Sequence, residues 1–502
     1  MKSSVSAALV AHAVLLAVAS ALLAACSSDG RAGGDDGTDS DGDLDCFDGD
    51  YVIDDEISAE LFRPYPCIDG DLRIVGIDAD MFIDLPNLEA VNGDLEFESC
   101  TSLAGLSLPA LTEIHSHLCF SSNTFESIVG FDALEQITHD VDIDYNTGLA
   151  SLAGLSGVVE ARGVRVTENP ALEDLALSSL QTLTSTLEVR ANASLTSLQG
   201  LDSLTALGGS LVVSENESLV SLEGIGGVTA IGGKLEIRHN PSLESLEHLS
   251  AVTEVSLGIS IETNPLLTDL NGLHNIESVG FGDPDAFNEF VIADCDGLTD
   301  LTGFGGLTEF QGSIAVRDNA SLWSLAGLDG LGTDDMITQI EISNNESLTS
   351  LAGLPLNGSM GYVLVQDNPV LTDLGALAGV TTLWDYLAVS GNASLTDLTG
   401  LESLTAIEEQ LAVVANESLA SFAGLGALSE VPEVLISGNG SLVSLSELTS
   451  LTLVEDRLEI TDNESLPTCE AGDLLLGLDP YPTEICIQGN LADTCEDEPW
   501  DC

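Results

Sequence analysis

GGSLVVSENESLVSLEGIGGVTAI, residues 208–231, reads as one turn of a repeat. Leu211 and Val213 stand two apart around Val212, the spacing of a very short strand that turns two side chains inward. Asn216 ends that strand, and Leu219, Leu222, Ile225 and Val228 follow at intervals of three. That spacing suits irregular turns or 3₁₀ segments better than a full helix, and Gly224 and Gly226 also disfavour regular helix. A unit this small cannot bury its own apolar edge, so its neighbours in the stack must serve as its core.

The asparagine returns at a steady step of about 24 residues over most of the chain, the period of a solenoid. Its positions are Asn123, Asn146, Asn169, Asn192, Asn216, Asn240, Asn264, Asn319, Asn345, Asn368, Asn392, Asn416, Asn439, Asn463 and, after a larger gap, Asn490. Inside a coil, a side chain with both a carbonyl and an amide satisfies the bending backbone's donors and acceptors without water. Cys100 and Cys295 occupy the slot where Asn is missing, each a small buried group with a weak donor. From Cys100 to Asn490 the ladder marks 17 coils, and CIDGDLRI from Cys67 is expected to start one more. Parallel strands stack about 4.8 Å apart, which predicts an array of roughly 80 Å. The step from Asn264 to Cys295 is longer than the others, and the surplus GFGDPDAFNE, residues 280–289, is expected to bulge as a loop or to mark a junction between sub-arrays. The step from Asn319 to Asn345 is also slightly long.

The recurring LxIxxNxxLxxLxGL pattern resembles bacterial leucine-rich repeats and, more closely, the receptor L-domain type, over about residues 67 to 490. The resemblance implies a right-handed solenoid of short parallel strands, mostly β and irregular turns. It also implies binding of proteins, peptides or glycans, since few members of such families are catalytic. The chain departs from the two-domain receptor layout by carrying one very long array and no signalling segment.

The ends suggest where the molecule works. Residues 1–25 have a basic start at Lys2 and an apolar run into LAAC, Leu23 to Cys26, and read as a signal peptide. LAAC resembles the bacterial lipobox, which implies lipidation of Cys26, and Ser27 after it implies outer-membrane sorting, at the cell surface or the periplasmic face. The membrane is then met only through the acyl anchor. Residues 26–45 are Ser, Gly and Asp with almost nothing apolar, a flexible acidic tether. Its DDGTDSDGDLD lacks the glycine and terminal glutamate of an EF-hand loop. An N-terminal cap and first coil are expected over 46–99, the repeat solenoid over 100–468, and a disulfide-rich C-terminal cap with a final coil over 469–502. Cys46 and Cys67 are a natural pair, whereas Cys469, Cys486, Cys495 and Cys502 permit three connectivities. Export makes such bridges plausible. Cys100 and Cys295 are expected to stay reduced, and Cys119 takes an outward strand position of open redox state.

With 83 acidic against 11 basic side chains, the formal net charge is −72. Such a field repels nucleic acid and anionic lipid, and admits loosely bound divalent cations or basic partners. Outward strand positions are mainly charged in the first half, at Arg73, Glu96, Asp142, Arg165, Glu188 and Glu236. From Val291 they turn apolar, through Ala315, Leu364, Ala388, Ala412 and Leu435, with Glu341 interrupting. That strip, with Trp384 and Tyr386 as anchors, is the candidate binding surface.

No catalytic set emerges: the histidines, among them His115, His117, His139 and His239, form no HExxH, and neither a phosphate-binding loop nor a nucleophile elbow is present. No cofactor or dedicated metal site is expected. The NxS sequons at Asn192, Asn216 and Asn439 are by-products of the ladder, because their amides point inward. The reading is a non-catalytic, lipid-anchored recognition or adhesion module that binds a protein, peptide or glycan along its sheet. An acidic, cation-associated envelope spacer is the alternative, and a carbohydrate-active enzyme a more distant one.

Overall fold

The computed structural model describes residues 45–78, 81–101, 103–282, 288–331, 336–354 and 356–492. Cys26, Cys495, Cys502, the signal peptide and all of the tether but Asp45 lie outside the described residues. The chain divides into two compact units, Met1–Ala171 and Leu172–Cys502, each a leucine-rich-repeat-like solenoid of short parallel strands.

In the first unit Tyr51–Ile53, Leu72–Val75, Leu95–Glu98, Leu118–Ser121, Asp140–Asp144 and Gly163–Thr167 stack in strict parallel register. The array therefore begins at Tyr51, one coil earlier than the sequence pattern indicates. The early coil escapes the pattern because a helix α1, Glu56–Phe62, replaces the usual apolar turns. Asp55 caps α1 by accepting the Ser58 N–H at 2.7 Å, and Ser58 reciprocates. Phe62 is fully buried and meets Phe47, Tyr51 and Tyr65, an aromatic plug for the first coil among the described residues. Cys46 and Cys67 are joined by a disulfide beside it.

The second unit runs from Leu187–Arg190 through Leu211–Ser214, Leu235–Arg238 and Ile259–Glu262 to Glu484–Gln488, again in parallel. Ile259 pairs with Phe290, so register continues across the 280–289 insertion, which marks no break between sub-arrays. Its flank is pinned by the buried Asn288, whose Nδ2 donates to the Gly280 carbonyl at 2.7 Å. The long step to Asn345 is partly absorbed by a bulge, where pairing skips a residue opposite Gly312 and Ser313. A helix α2, Thr468–Leu476, lies in the last described coil.

The repeated residues do what their spacing requires. In the 208–231 turn, Leu211, Val213, Leu219, Leu222, Ile225, Val228 and Ile231 are all buried. Part of the segment read as irregular is ordered: two-residue strands such as Ala206–Leu207, Ala230–Ile231 and Glu254–Val255 pair into a second parallel ladder. Single 3₁₀ turns precede the short strand in some coils, as at Glu247–Leu249 and Asn271–Leu273. Gly224 has a stronger reason than low helix propensity: it holds φ +117°, and a Cβ there would strike the Leu198 carbonyl of the preceding coil.

The ladder asparagines from Asn123 to Asn463 are fully buried. Asn216 is typical: its Oδ1 accepts the Asn192 N–H at 3.0 Å, and its Nδ2 donates to the Val189 carbonyl at 2.9 Å. Its own N–H goes on to Asn240 Oδ1 at 3.2 Å. Asn490, at the end, is only partly buried and donates to the Ile460 carbonyl at 2.8 Å. Cys100 and Cys295 are buried free thiols whose N–H groups donate to the next Asn. The residue just before each rung is left-handed whatever its type, as at Ser122 (φ 59°), Glu215 (φ 59°), His239 (φ 54°) and Gly391 (φ 68°). That conformation swings the rung inward, and the amide's bonds hold it there against the steric cost.

Candidate functional site

Every second strand residue points out of the coil, and register aligns these residues into columns. In the first unit the central column is Val52, Arg73, Glu96, Cys119, Asp142 and Arg165. Direction does not mean exposure here: Glu96 and Asp142 are each only 3% exposed, and Cys119 only 2%. Cys119 is disulfide-bonded, as are Cys469 and Cys486.

The buried acids are held by cations. Arg73 Nε lies 2.7 Å from Glu96 Oε2, and its Nη2 lies 3.1 Å from Glu98 Oε2. Arg165 Nη1 lies 3.2 Å from Asp142 Oδ1. Burial pushes the Asp142 carboxyl up to about 6, opposed by Arg165 and reinforced by Asp140. Burial likewise raises Glu96 against the pull of Arg73, and raises Asp144. The Glu96 Oε1 atom is buried with no hydrogen-bond partner, a situation that costs about 1–3 kcal/mol or more when uncompensated.

A second column lies beside the first. Asp71 N–H donates to Asp50 Oδ1 at 3.0 Å, Asp94 N–H to Asp71 Oδ1 at 2.8 Å, and His117 N–H to Asp94 Oδ1 at 2.9 Å. The sequence carries a signal for this aspartate series that single repeats do not show, a Gly-Asp pair opening strands at 49–50, 70–71 and 93–94. Carboxylate oxygens of Asp71, Asp94 and Glu96 all lie within 4.8 Å of one another. His117 and His139 stand alongside, with ring centroids 5.2 Å apart. The same unit has a hollow of about 360 Å³, also not evident from the sequence, lined by Phe97, Phe120, Phe125 and Phe131 together with polar residues such as Thr101, Thr124 and Glu126.

In the second unit the central column is Glu188, Val212, Glu236, Ser260, Val291, Ala315, Glu341, Leu364, Ala388, Ala412, Leu435, Glu459 and Cys486. Val291 is buried, at 7% exposure, so it offers no contact surface. Ala315, Leu364, Ala388, Ala412 and Leu435 are half-buried and form a strip interrupted only by Glu341. Trp384 lies outside the column, in the bend before the Tyr386–Ser390 strand, and is half exposed.

Tyr386 has a partner that the sequence reading missed. Tyr362 sits one coil away, and the two rings stack at 4.9 Å with an interplanar angle of 5°. Burial, then Tyr386 and Glu341, push the Tyr362 hydroxyl up to about 12, and burial followed by Glu341 and Asp385 raises Tyr386. Both rings therefore stay neutral at physiological pH. Tyr386 also forms a wall of a cleft of about 380 Å³ whose other lining is Glu408, Glu409, Gln410, Pro432, Glu433, Glu455 and Asp456. An aromatic face beside a concentration of carboxylates suits a guanidinium or ammonium group.

No helix among the described residues is long and apolar enough to cross a membrane. No family model matches the chain, and no curated protein matches it. Among solved structures, "Crystal structure of TLR13-ssRNA13 complex" aligns over 82% of this chain and 73% of its own, at 14% identity and a TM-score of 0.23. A superposition that loose carries no argument about ligand or mechanism, and the fold stands on the strand pairing itself.

Proposed function

We propose that the chain is a non-catalytic recognition module whose second unit binds a basic polypeptide segment along its outward column. The observation that carries this reading is the half-exposed strip Leu364, Ala388, Ala412 and Leu435 lying beside the stacked Tyr362–Tyr386 pair and its acidic cleft. The strip supplies apolar contact, the rings supply rigid anchors, and the carboxylates favour cationic side chains and speed their approach. Charge complementarity thus selects a basic peptide from the broader set of proteins, peptides and glycans. Export and acylation at Cys26 would display the module on the envelope. Protease accessibility in intact against lysed cells, with Cys26→Ser as control, tests that placement, and cleavage indifferent to the substitution would remove the anchor from the reading.

Binding is tested by fluorescence anisotropy with a labelled peptide of alternating Arg and Leu, in about 0.15 M salt so that long-range attraction is screened. Saturable binding weakened at least tenfold by Leu364→Asp or Tyr386→Ala, with strand content unchanged, is the expected result. Equal weakening by Glu244→Gln, an exposed acid away from the column, would point instead to a diffuse field and to the acidic-spacer alternative.

A further inference from the structure

We infer that the first unit carries a specific calcium site formed by Asp71, Asp94 and Glu96. The three offer carboxylate oxygens within 4.8 Å of one another, inside the roughly 4.6–5.2 Å that two oxygens of one calcium ion can span at 2.3–2.6 Å each. All-oxygen ligation by carboxylates is the donor chemistry of a hard cation.

The cluster alone would mean little on a chain this acidic. Glu96 is what distinguishes it: the residue is 3% exposed, Arg73 holds its Oε2, and its Oε1 is buried with no donor among the described residues. A carboxylate oxygen shut away from water beside two further carboxylates is explained by a cation that completes its coordination. The neighbouring aspartates are arranged to help. Asp71 Oδ1 and Asp94 Oδ1 each accept a backbone N–H from the next strand, at 2.8 and 2.9 Å, which fixes the side chains and, among the described residues, leaves Oδ2 of each without a donor. Arg73 balances one charge of the group but also serves Glu98, so four carboxylates face a single guanidinium. Asp71 and Asp94 are half-buried, which leaves room for water to fill the remaining coordination positions. The site differs from a loose counter-ion cloud in having fixed ligands on adjacent rungs of one sheet, and it is independent of the peptide surface of the second unit.

The test is isothermal titration of the full chain with calcium chloride in about 0.15 M KCl, which screens the diffuse field, comparing wild type with Glu96→Gln, Asp94→Asn and the exposed control Glu89→Gln. The Asn retains a carbonyl for the His117 N–H, so the strand keeps its acceptor. One site tighter than the background is expected, weakened at least tenfold in Glu96→Gln and Asp94→Asn and unchanged in Glu89→Gln. An isotherm for Glu96→Gln that superimposes on wild type would overturn the inference. Should a variant fail to fold, hydrogen exchange of the unmodified protein decides: calcium should slow the Leu95–Glu98 amides at constant ionic strength, and identical rates with and without calcium would equally sink the site.

Discussion

The outward column of the first unit and the later part of the second unit's column are built on strands, rungs and left-handed steps of one kind, yet they hold opposite chemistry. In the first unit the column buries acids, and Arg73 and Arg165 are taken up in neutralising Glu96 and Asp142. In the second unit the column opens with Glu188, Val212 and Glu236, and only from Ala315 to Leu435 does it become a half-exposed apolar strip, broken by Glu341, with aromatic rings at its edge. The inward residues fix the coil and leave the alternate residue free. A repeat protein of this kind separates stability from recognition along each strand, one residue apart.

That separation makes the ladder the place where the two units should behave alike, and with the largest effect. Asn146→Ala removes the acceptor of the Asn123 N–H and the donor to the Phe120 carbonyl, and Asn240→Ala removes the corresponding bonds to Asn216 and Val213. Each leaves buried backbone groups unpaired and should cost about 3–5 kcal/mol by denaturant unfolding. A cost confined to one unit would break the comparison.

Titration should tell Asp142 in the first unit and Asp397 in the second apart. Asp142 is raised from 3.8 to about 6, so the native state holds its proton more tightly than the unfolded chain does. The stability linked to that proton is present in full below about pH 4 and is lost as pH rises through about 6, to an extent of about 2–3 kcal/mol. Calorimetry between pH 4.5 and 7.5 should show the wild type losing stability across this window and Asp142→Asn much less. In the second unit the Thr399 hydroxyl holds Asp397 below the usual carboxylate range. Its contribution has the opposite sign and disappears only below about pH 4.

The smallest effect is again shared. Ser122 and Glu215 both take φ 59° before their rungs, a place that glycine fills at Gly391, Gly438 and Gly489. Ser122→Gly and Glu215→Gly should each gain about 0.5–1 kcal/mol, relief of left-handed strain set against the greater freedom of glycine when unfolded. A loss in either would mean that the displaced side chain matters more than the backbone, and Glu215, paired with Arg190 at 3.2 Å, is the more exacting case.

The solenoid was legible because one residue type at one spacing has a single buried role, and the apolar residues around Asn216 point one way. The second ladder was not, because two-residue strands such as Ala230–Ile231 interrupt neither the apolar spacing nor the turn residues around them. The left-handed step was hidden for a different reason: Ser, Tyr, Glu, Ala, His, Thr and Asp all occupy it, so backbone closure imposes what composition does not reveal. At the candidate sites, strand alternation showed which way Glu96, Cys119, Asp142 and Val291 point but not what covers them. Tyr362 was readable in principle, standing one repeat before Tyr386. The Gly-Asp openings that assemble Asp71 and Asp94 were readable too, but only once adjacent coils are compared rather than read singly.

The asparagine ladder also bears on how such a chain can change its length over generations. Because each rung offers its neighbour the same acceptor and the same donor, a block of one whole repeat is an interchangeable part: its gain or loss leaves matching partners on both sides of the cut. A one-residue difference is absorbed quietly, since steps of 24 and 23 residues from Asn392 to Asn416 and on to Asn439 stack without a register shift, whereas the longer step to Asn345 is partly expelled sideways at the bulge opposite Gly312 and Ser313. Recombination in whole turns is therefore the path of least resistance for this architecture, and the outward column is what each new turn is free to rewrite.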